Sequence, residues 1–128
     1  MILLDTSVWV DHLRSGDAIV VDLLQSGRVL THAFVIGELA LGNLRQRQAI
    51  LAFLGDLPRA YTATHDEVRH FIEHHALAGL GIGYVDAHLL ASTQLTPGSS
   101  LWTHDQRLSA VAERLGLAGK GLPEPPAS

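Results

Sequence analysis

Ile2-Leu3-Leu4-Asp5-Thr6-Ser7 is the stretch on which the reading of this chain turns. Three aliphatic residues in a row fit a short strand buried on both faces, the pattern of a parallel sheet. The run ends in a carboxylate and two hydroxyls, just ahead of the apolar-periodic Val8-Trp9-Val10-Asp11-His12-Leu13. An acid at the carboxyl end of such a strand stands where open α/β sheets place their ligands. Asp5 is also the only charged side chain among the first ten residues. A plainer account is that Asp5, or a hydroxyl after it, caps the first helix. The rest of the chain separates the two accounts.

At 128 residues the chain suits one domain with a proper core. Hydrophobic residues make up 47% and charged ones 17%, which marks a globular chain and not a disordered one. There is no cysteine, which excludes a disulfide framework, a thiolate zinc site and a cysteine nucleophile. No apolar run is long enough to span a bilayer, and no basic region precedes the N-terminal apolar residues, so the expected location is the cytoplasm. The formal charge of -4 argues against a protein that simply coats nucleic acid. That argument weakens if several carboxylates serve one metal site. The basic residues are eight arginines and Lys120, and arginine is the better bidentate phosphate ligand.

Going outward from the first strand, Arg14 to Asp17 reads as a turn and Ala18 to Gln25 as a helix closed by Ser26-Gly27. Arg28 to Thr31 is a second strand, followed by helices over Ala33–Leu41 and Arg45–Leu54. Ala60 to Ala63 is a third, weaker strand. Thr64 and Glu67 form a capping-box pattern that opens a helix running to about Leu77. Glycines 79, 81 and 83 make a loop; a helix follows over Tyr84–Leu95, then a fourth strand over Ser100–Thr103 and a helix over Asp105–Leu115. Residues 1–117 are expected to form one domain, and 118–128 a Gly/Pro-rich tail, mostly disordered, with at most an edge strand near Leu122. Strands alternating with helices imply an α/β fold with a parallel sheet.

Three long stretches are nearly free of charge, and each contains one acid: Asp5, Glu38 and Asp86. Asp105 follows the apolar Leu101-Trp102-Thr103 much as Asp5 follows its own strand. Lone carboxylates in apolar elements are costly unless they find a cation or a proton. The local sequence offers Asp5, Glu38 and Asp86 no basic partner, so one shared cation is the economical solution. Oxygen-only ligands without cysteine favour magnesium or manganese over zinc. If the first and fourth strands are neighbours, Asp5 and Asp105 meet at the switch point, with Glu38 and Asp86 arriving from helices. Singly, each acid has a simpler explanation: Asp105 as a helix cap, Asp86 near a positive helix end, Glu38 in solvent.

Four segments in order resemble the motifs of the PIN-domain family, and within it the VapC toxins of bacterial VapBC toxin–antitoxin pairs. They are Leu3 to Val10, Val35-Ile36-Gly37-Glu38-Leu39, Gly83 to Ala91 and Leu101 to Leu108, and the likeness spans Met1 to about Leu117. The resemblance implies a three-layer α/β/α sandwich around a mostly parallel sheet of four to five strands. It implies a magnesium-dependent endoribonuclease, with manganese able to substitute, that acts as the toxin of a type II pair. Asp5, Glu38, Asp86 and Asp105 match the metal-holding, catalytic acids, while Ser7 and Thr103 match hydroxyls that support them. It further implies RNA as substrate, a VapB-type antitoxin, a homodimer and no membrane association. Trp9 is then a candidate antitoxin contact or else a core aromatic, and Arg14, Arg45 and Arg47 are candidate phosphate contacts or simply solvated.

Other signals carry less. His70 and His74 have the spacing of a zinc pair, but the helix bearing Arg69, His70, Glu73, His74 and His75 reads as a solvated face. The glycine spacing at 79, 81 and 83 fits neither a P-loop nor a dinucleotide fingerprint. A response-regulator-like module would need an adjacent acidic pair and a late lysine within the fold. A catalytically idle PIN-like binding module stands as the alternative, distinguished by having no reason to keep the acid quartet.

Overall fold

The computed structural model describes residues 1–126. In chain order the elements are β1 (Ile2–Leu4), α1 (Thr6–Ser15), α2 (Ala18–Gln25), β2 (Val29–Leu30), α3 (Ala33–Leu41), α4 (Arg47–Asp56), α5 (His65–His74), α6 (Tyr84–Leu95), β3 (Ser100–Trp102) and α7 (Gln106–Arg114). Both neighbours of β1 run parallel to it, giving the order β2-β1-β3. Leu3 lies opposite Leu30 on one side and Leu101 on the other. All three residues of β1 are buried, as the unbroken apolar run requires of a central parallel strand.

The sheet has three strands among the described residues, and not the expected four to five. The two missing edges survive as single parallel bridges, Thr31 with Arg59 and Leu101 with Ala118. The third strand fails because its amides are taken elsewhere. Pro58 has no N–H to give a ladder, and the amides of Tyr61 and Ala63 go to side chains of the α6 region instead: Tyr61 N–H to Thr96 Oγ1 at 2.9 Å, Ala63 N–H to Ser92 Oγ at 3.1 Å. At the opposite edge, Leu101 N–H donates to Leu117 O and Gly119 N–H to Leu101 O, so the tail covers β3 for one residue pair. Leu122 packs against the core, and the last two residues of the tail, 127–128, lie outside the described residues.

Trp9 is 1% exposed and belongs to the core, which removes it as an antitoxin contact. It stands with Val8 on the buried face of α1, and Leu13, one turn on, packs beneath the same core. The capping box at α5 forms as the sequence pattern suggests. Thr64 Oγ1 accepts Glu67 N–H at 3.1 Å, and Glu67 Oε1 accepts Thr64 N–H at 2.8 Å. Helices α3 and α6 keep the boundaries expected from apolar periodicity. They carry Glu38 and Asp86.

Candidate active site

Because β1 and β3 pair in register, the residues just past their carboxyl ends meet. Asp5 N–H donates to Trp102 O at 2.9 Å, which prolongs the ladder by one bond. The Asp5 residue is 7% exposed. Its side chain makes no capping bond to α1, so the simpler account of Asp5 fails. Instead Oδ2 accepts two hydroxyls, Ser7 Oγ and Thr103 Oγ1, each at 2.7 Å. Ser7 Oγ in turn accepts His104 N–H at 3.0 Å, and Thr103 Oγ1 accepts Asp105 N–H at 3.0 Å. Each hydroxyl therefore receives a backbone hydrogen and turns its own toward Asp5. This fixes the plane of the carboxylate.

The other three acids repeat one pattern. Glu38, on α3, accepts Thr6 Oγ1–H on Oε1 at 2.6 Å. Asp86, in the first turn of α6, accepts Gly83 N–H on Oδ2 at 3.0 Å. Asp105 caps α7 by accepting Leu108 N–H on Oδ1 at 2.9 Å. In all four carboxylates one oxygen is held by the protein, and the second has no protein partner among the described residues. No arginine, lysine or histidine pairs with any of them there; the ion pairs are Arg14–Asp11 and His104–Asp11.

Burial pushes the Asp86 carboxyl above the ordinary aspartate range. The Gly83 N–H works against that rise, while the charges of Asp5, Asp105 and Glu38 each add to it. Asp86 thus lies within electrostatic reach of the other three. The desolvation argument from sequence applies fully to Asp5 and partly to Asp86. Glu38 and Asp105 are exposed, because a charge-free sequence neighbourhood does not bury the residue inside it. The simpler explanations are also seen: Glu38 is exposed, and Asp86 and Asp105 cap their helices, but each of these caps uses only one oxygen.

Four free carboxylate oxygens without thiolate or imidazole suit a hard divalent cation. Among the described residues, no three acidic or histidine side chains converge tightly enough to enclose an ion. His70 and His74 stack with ring centroids 5.9 Å apart on α5, without a third donor among the described residues.

Two contacts had only weak signals in the sequence. Thr6, between Asp5 and Ser7, turns out to hold Glu38; its hydroxyl stood in the motif, but nothing local revealed which acid it meets. His104 Nδ1 lies 2.5 Å from Asp11 Oδ2, and Arg14 donates to Asp11 Oδ1 at 2.9 Å. This chain ties the turn after β3 to α1. It also occupies Arg14, one of the three arginines considered for phosphate. Arg47 donates to Gly42 O at 3.4 Å, and Arg45 lines a groove of about 460 Å³ that opens beside Glu38, together with Val10, Leu13, Arg14 and Leu39.

A parallel α/β sheet with one carboxylate in electrostatic reach of three others beyond its strand ends fits a PIN domain, and the chain belongs to the PIN-domain family, whose sequence model matches residues 2–114. It is similar to Ribonuclease VapC32 of Mycobacterium tuberculosis, in strains CDC 1551 / Oshkosh and ATCC 25618 / H37Rv. Identity is 47% over 118 residues, covering 92% of this chain and 95% of the relative. Among the described residues no helix is long and apolar enough to cross a membrane.

Proposed function

We propose that this protein is a metal-dependent endoribonuclease that hydrolyses RNA phosphodiester bonds and serves as the toxin of a type II toxin–antitoxin pair. Asp5, Glu38, Asp86 and Asp105 hold magnesium, for which manganese substitutes, with some contacts direct and others through water. Ser7 and Thr103 keep Asp5 in place, and Thr6 does the same for Glu38. The observation that carries the reading is the unused oxygen on each of four acids that have no cation of their own. The 47% identity to a protein named as a ribonuclease supports the same activity.

When bound, a divalent cation acidifies the attacking water and offsets charge gathering on the phosphate. The chain's own task is positional. The hydroxyls of Ser7 and Thr103 orient Asp5 through Oδ2 and leave Oδ1 for the ion. The N-terminal ends of α6 and α7 present Asp86 and Asp105 with one oxygen tied down and the other without a protein partner among the described residues. No serine, histidine or cysteine is needed as a covalent nucleophile. The partners belonging to this reading are RNA, a VapB-type antitoxin that covers the site, and a second copy of the chain, in the cytoplasm.

The test is cleavage of end-labelled total RNA by purified, antitoxin-free protein, with magnesium, with manganese and with EDTA, beside Asp5→Asn. Discrete cuts that need metal and vanish in the folded variant are expected, and their positions identify the target. A folded Asp5→Asn protein that still cuts would overturn the metal-site reading. Folded protein that neither cuts RNA nor takes up manganese by calorimetry would replace it with an idle binding module.

A further inference from the structure

Arg107 lies in the first turn of α7, two residues past Asp105. Its side chain reaches across the glycine loop ahead of α6. A Cβ built on Gly81 would stand 2.7 Å from Arg107 Nη1, 2.9 Å from Cδ and 3.2 Å from Cζ. Gly81 also has a φ of +79°, so both backbone and space favour glycine there. Two residues on, Gly83 N–H holds Asp86. The side chain therefore spans from the start of α7, which Asp105 caps, to the loop that leads into the turn holding Asp86.

Arg107 is exposed and makes no hydrogen bond or ion pair among the described residues, whereas Arg14 is taken by Asp11 and Arg47 by a carbonyl. A chain of formal charge -4 that acts on a polyanion needs a cation where the strand passes its acids. The planar fork of arginine matches the oxygens of a phosphate. The end of the stem and one edge of the guanidinium pack over Gly81, and none of its donors has a protein acceptor among the described residues.

Resting on the nuclease reading above, we propose that Arg107 is a substrate-binding residue that grips a phosphate of the RNA strand flanking the one cleaved, with Gly81 as its platform. Arg107→Met keeps the stem over Gly81 and removes the charge; Arg107→Lys keeps the charge and removes the fork. Each is combined with Asp5→Asn, and binding of a fluorescein-labelled, mixed-sequence single-stranded RNA is followed by anisotropy across a salt series. Cleavage kinetics and manganese titration are run on the forms that retain Asp5.

Arg107→Met is expected to weaken RNA binding roughly tenfold and to flatten the slope of log K against log salt by about 0.7, the contribution of one single-strand phosphate contact. KM rises with kcat little changed, and manganese affinity stays as it was. Arg107→Lys regains the slope and only part of the affinity. Unchanged affinity and slope in Arg107→Met, from a protein that otherwise cuts RNA, overturns this inference alone. A matching loss of manganese binding also overturns it, since that marks a structural role. A parent protein that cuts no RNA with either metal overturns the nuclease reading first, and the role of Arg107 falls with it.

Discussion

Thr103 places its hydroxyl 2.7 Å from Asp5 Oδ2, joining two residues 98 positions apart in the chain. The contact exists because β1 and β3 pair in parallel with Leu4 opposite Trp102, so the next residues of both strands leave the sheet together. Thr103→Val preserves shape and removes this hydrogen bond, along with the acceptor for Asp105 N–H. Manganese affinity and the single-turnover cleavage rate should each fall about 10- to 100-fold, the usual consequence of losing an outer support of a metal ligand. A valine variant with unaltered titration and rate would refute the role given to Thr103.

Acid should weaken metal binding through Asp86. Burial, with the charges of Asp5, Asp105 and Glu38 behind it, raises the Asp86 carboxyl. A raised carboxyl holds its proton at a pH where an ordinary aspartate has lost it, and the ion must displace that proton. Manganese affinity measured by calorimetry therefore declines on acidification from a higher pH than an unperturbed carboxylate would give. Asp86→Asn should be weak throughout and free of that component. A parent binding curve flat through the same range would refute this.

His32 couples folding stability to pH by a separate route. It caps α3 by accepting Phe34 N–H on Nδ1 at 3.0 Å, so the neutral ring carries its hydrogen on Nε2, 2.9 Å from Ser92 Oγ. Burial, aided by His88, lowers its pKa from 6.5 to about 4. The unfolded chain takes up this proton more readily than the folded one. Stability is then fully present above pH 6.5 and is lost as pH falls toward 4. The displacement corresponds to on the order of 3 kcal/mol. Urea midpoints across this window should drop in the parent protein and drop less in His32→Asn, which keeps an acceptor for Phe34; equal slopes would count against it.

Ser92→Ala tests the same buried node. Ser92 Oγ is the acceptor for Ala63 N–H and the partner of His32, and the residue is fully buried. Alanine leaves both groups without a partner, at a cost of about 2 to 4 kcal/mol. Denaturant unfolding should show the loss as a lower midpoint with an unchanged slope. A midpoint within error of the parent would mean that the node contributes nothing.

How far the sequence could be read depended on whether the deciding interactions were local. The boundaries of α3 and α6, the capping box at Thr64 and the burial of Ile2-Leu3-Leu4 follow from periodicity and near-neighbour chemistry. The strand expected at Ala60–Ala63 did not form as such because Thr96 and Ser92, about 30 residues away, take its amides. The acids stood out as lone charges, but the burial of each was beyond local reading: Asp5 is enclosed, while Glu38 and Asp105 lie open. Trp9 could be core or contact until the helix phase against the sheet was known. Thr6 with Glu38, and His104 with Asp11, are tertiary pairings that no spacing rule predicts.

The central place of β1 has a consequence for synthesis. Its sheet partners are Val29–Leu30 and Ser100–Trp102, so one edge can be assembled early while the other waits for a segment about a hundred residues downstream. Closing so long a loop is slow relative to forming the local helices. Until that segment arrives, Asp5 lacks Thr103, and Asp105 has no strand to carry it to its neighbours. On the site proposed above, the four acids can come together only after most of the chain has been made, because Asp105 follows the last strand to join the sheet.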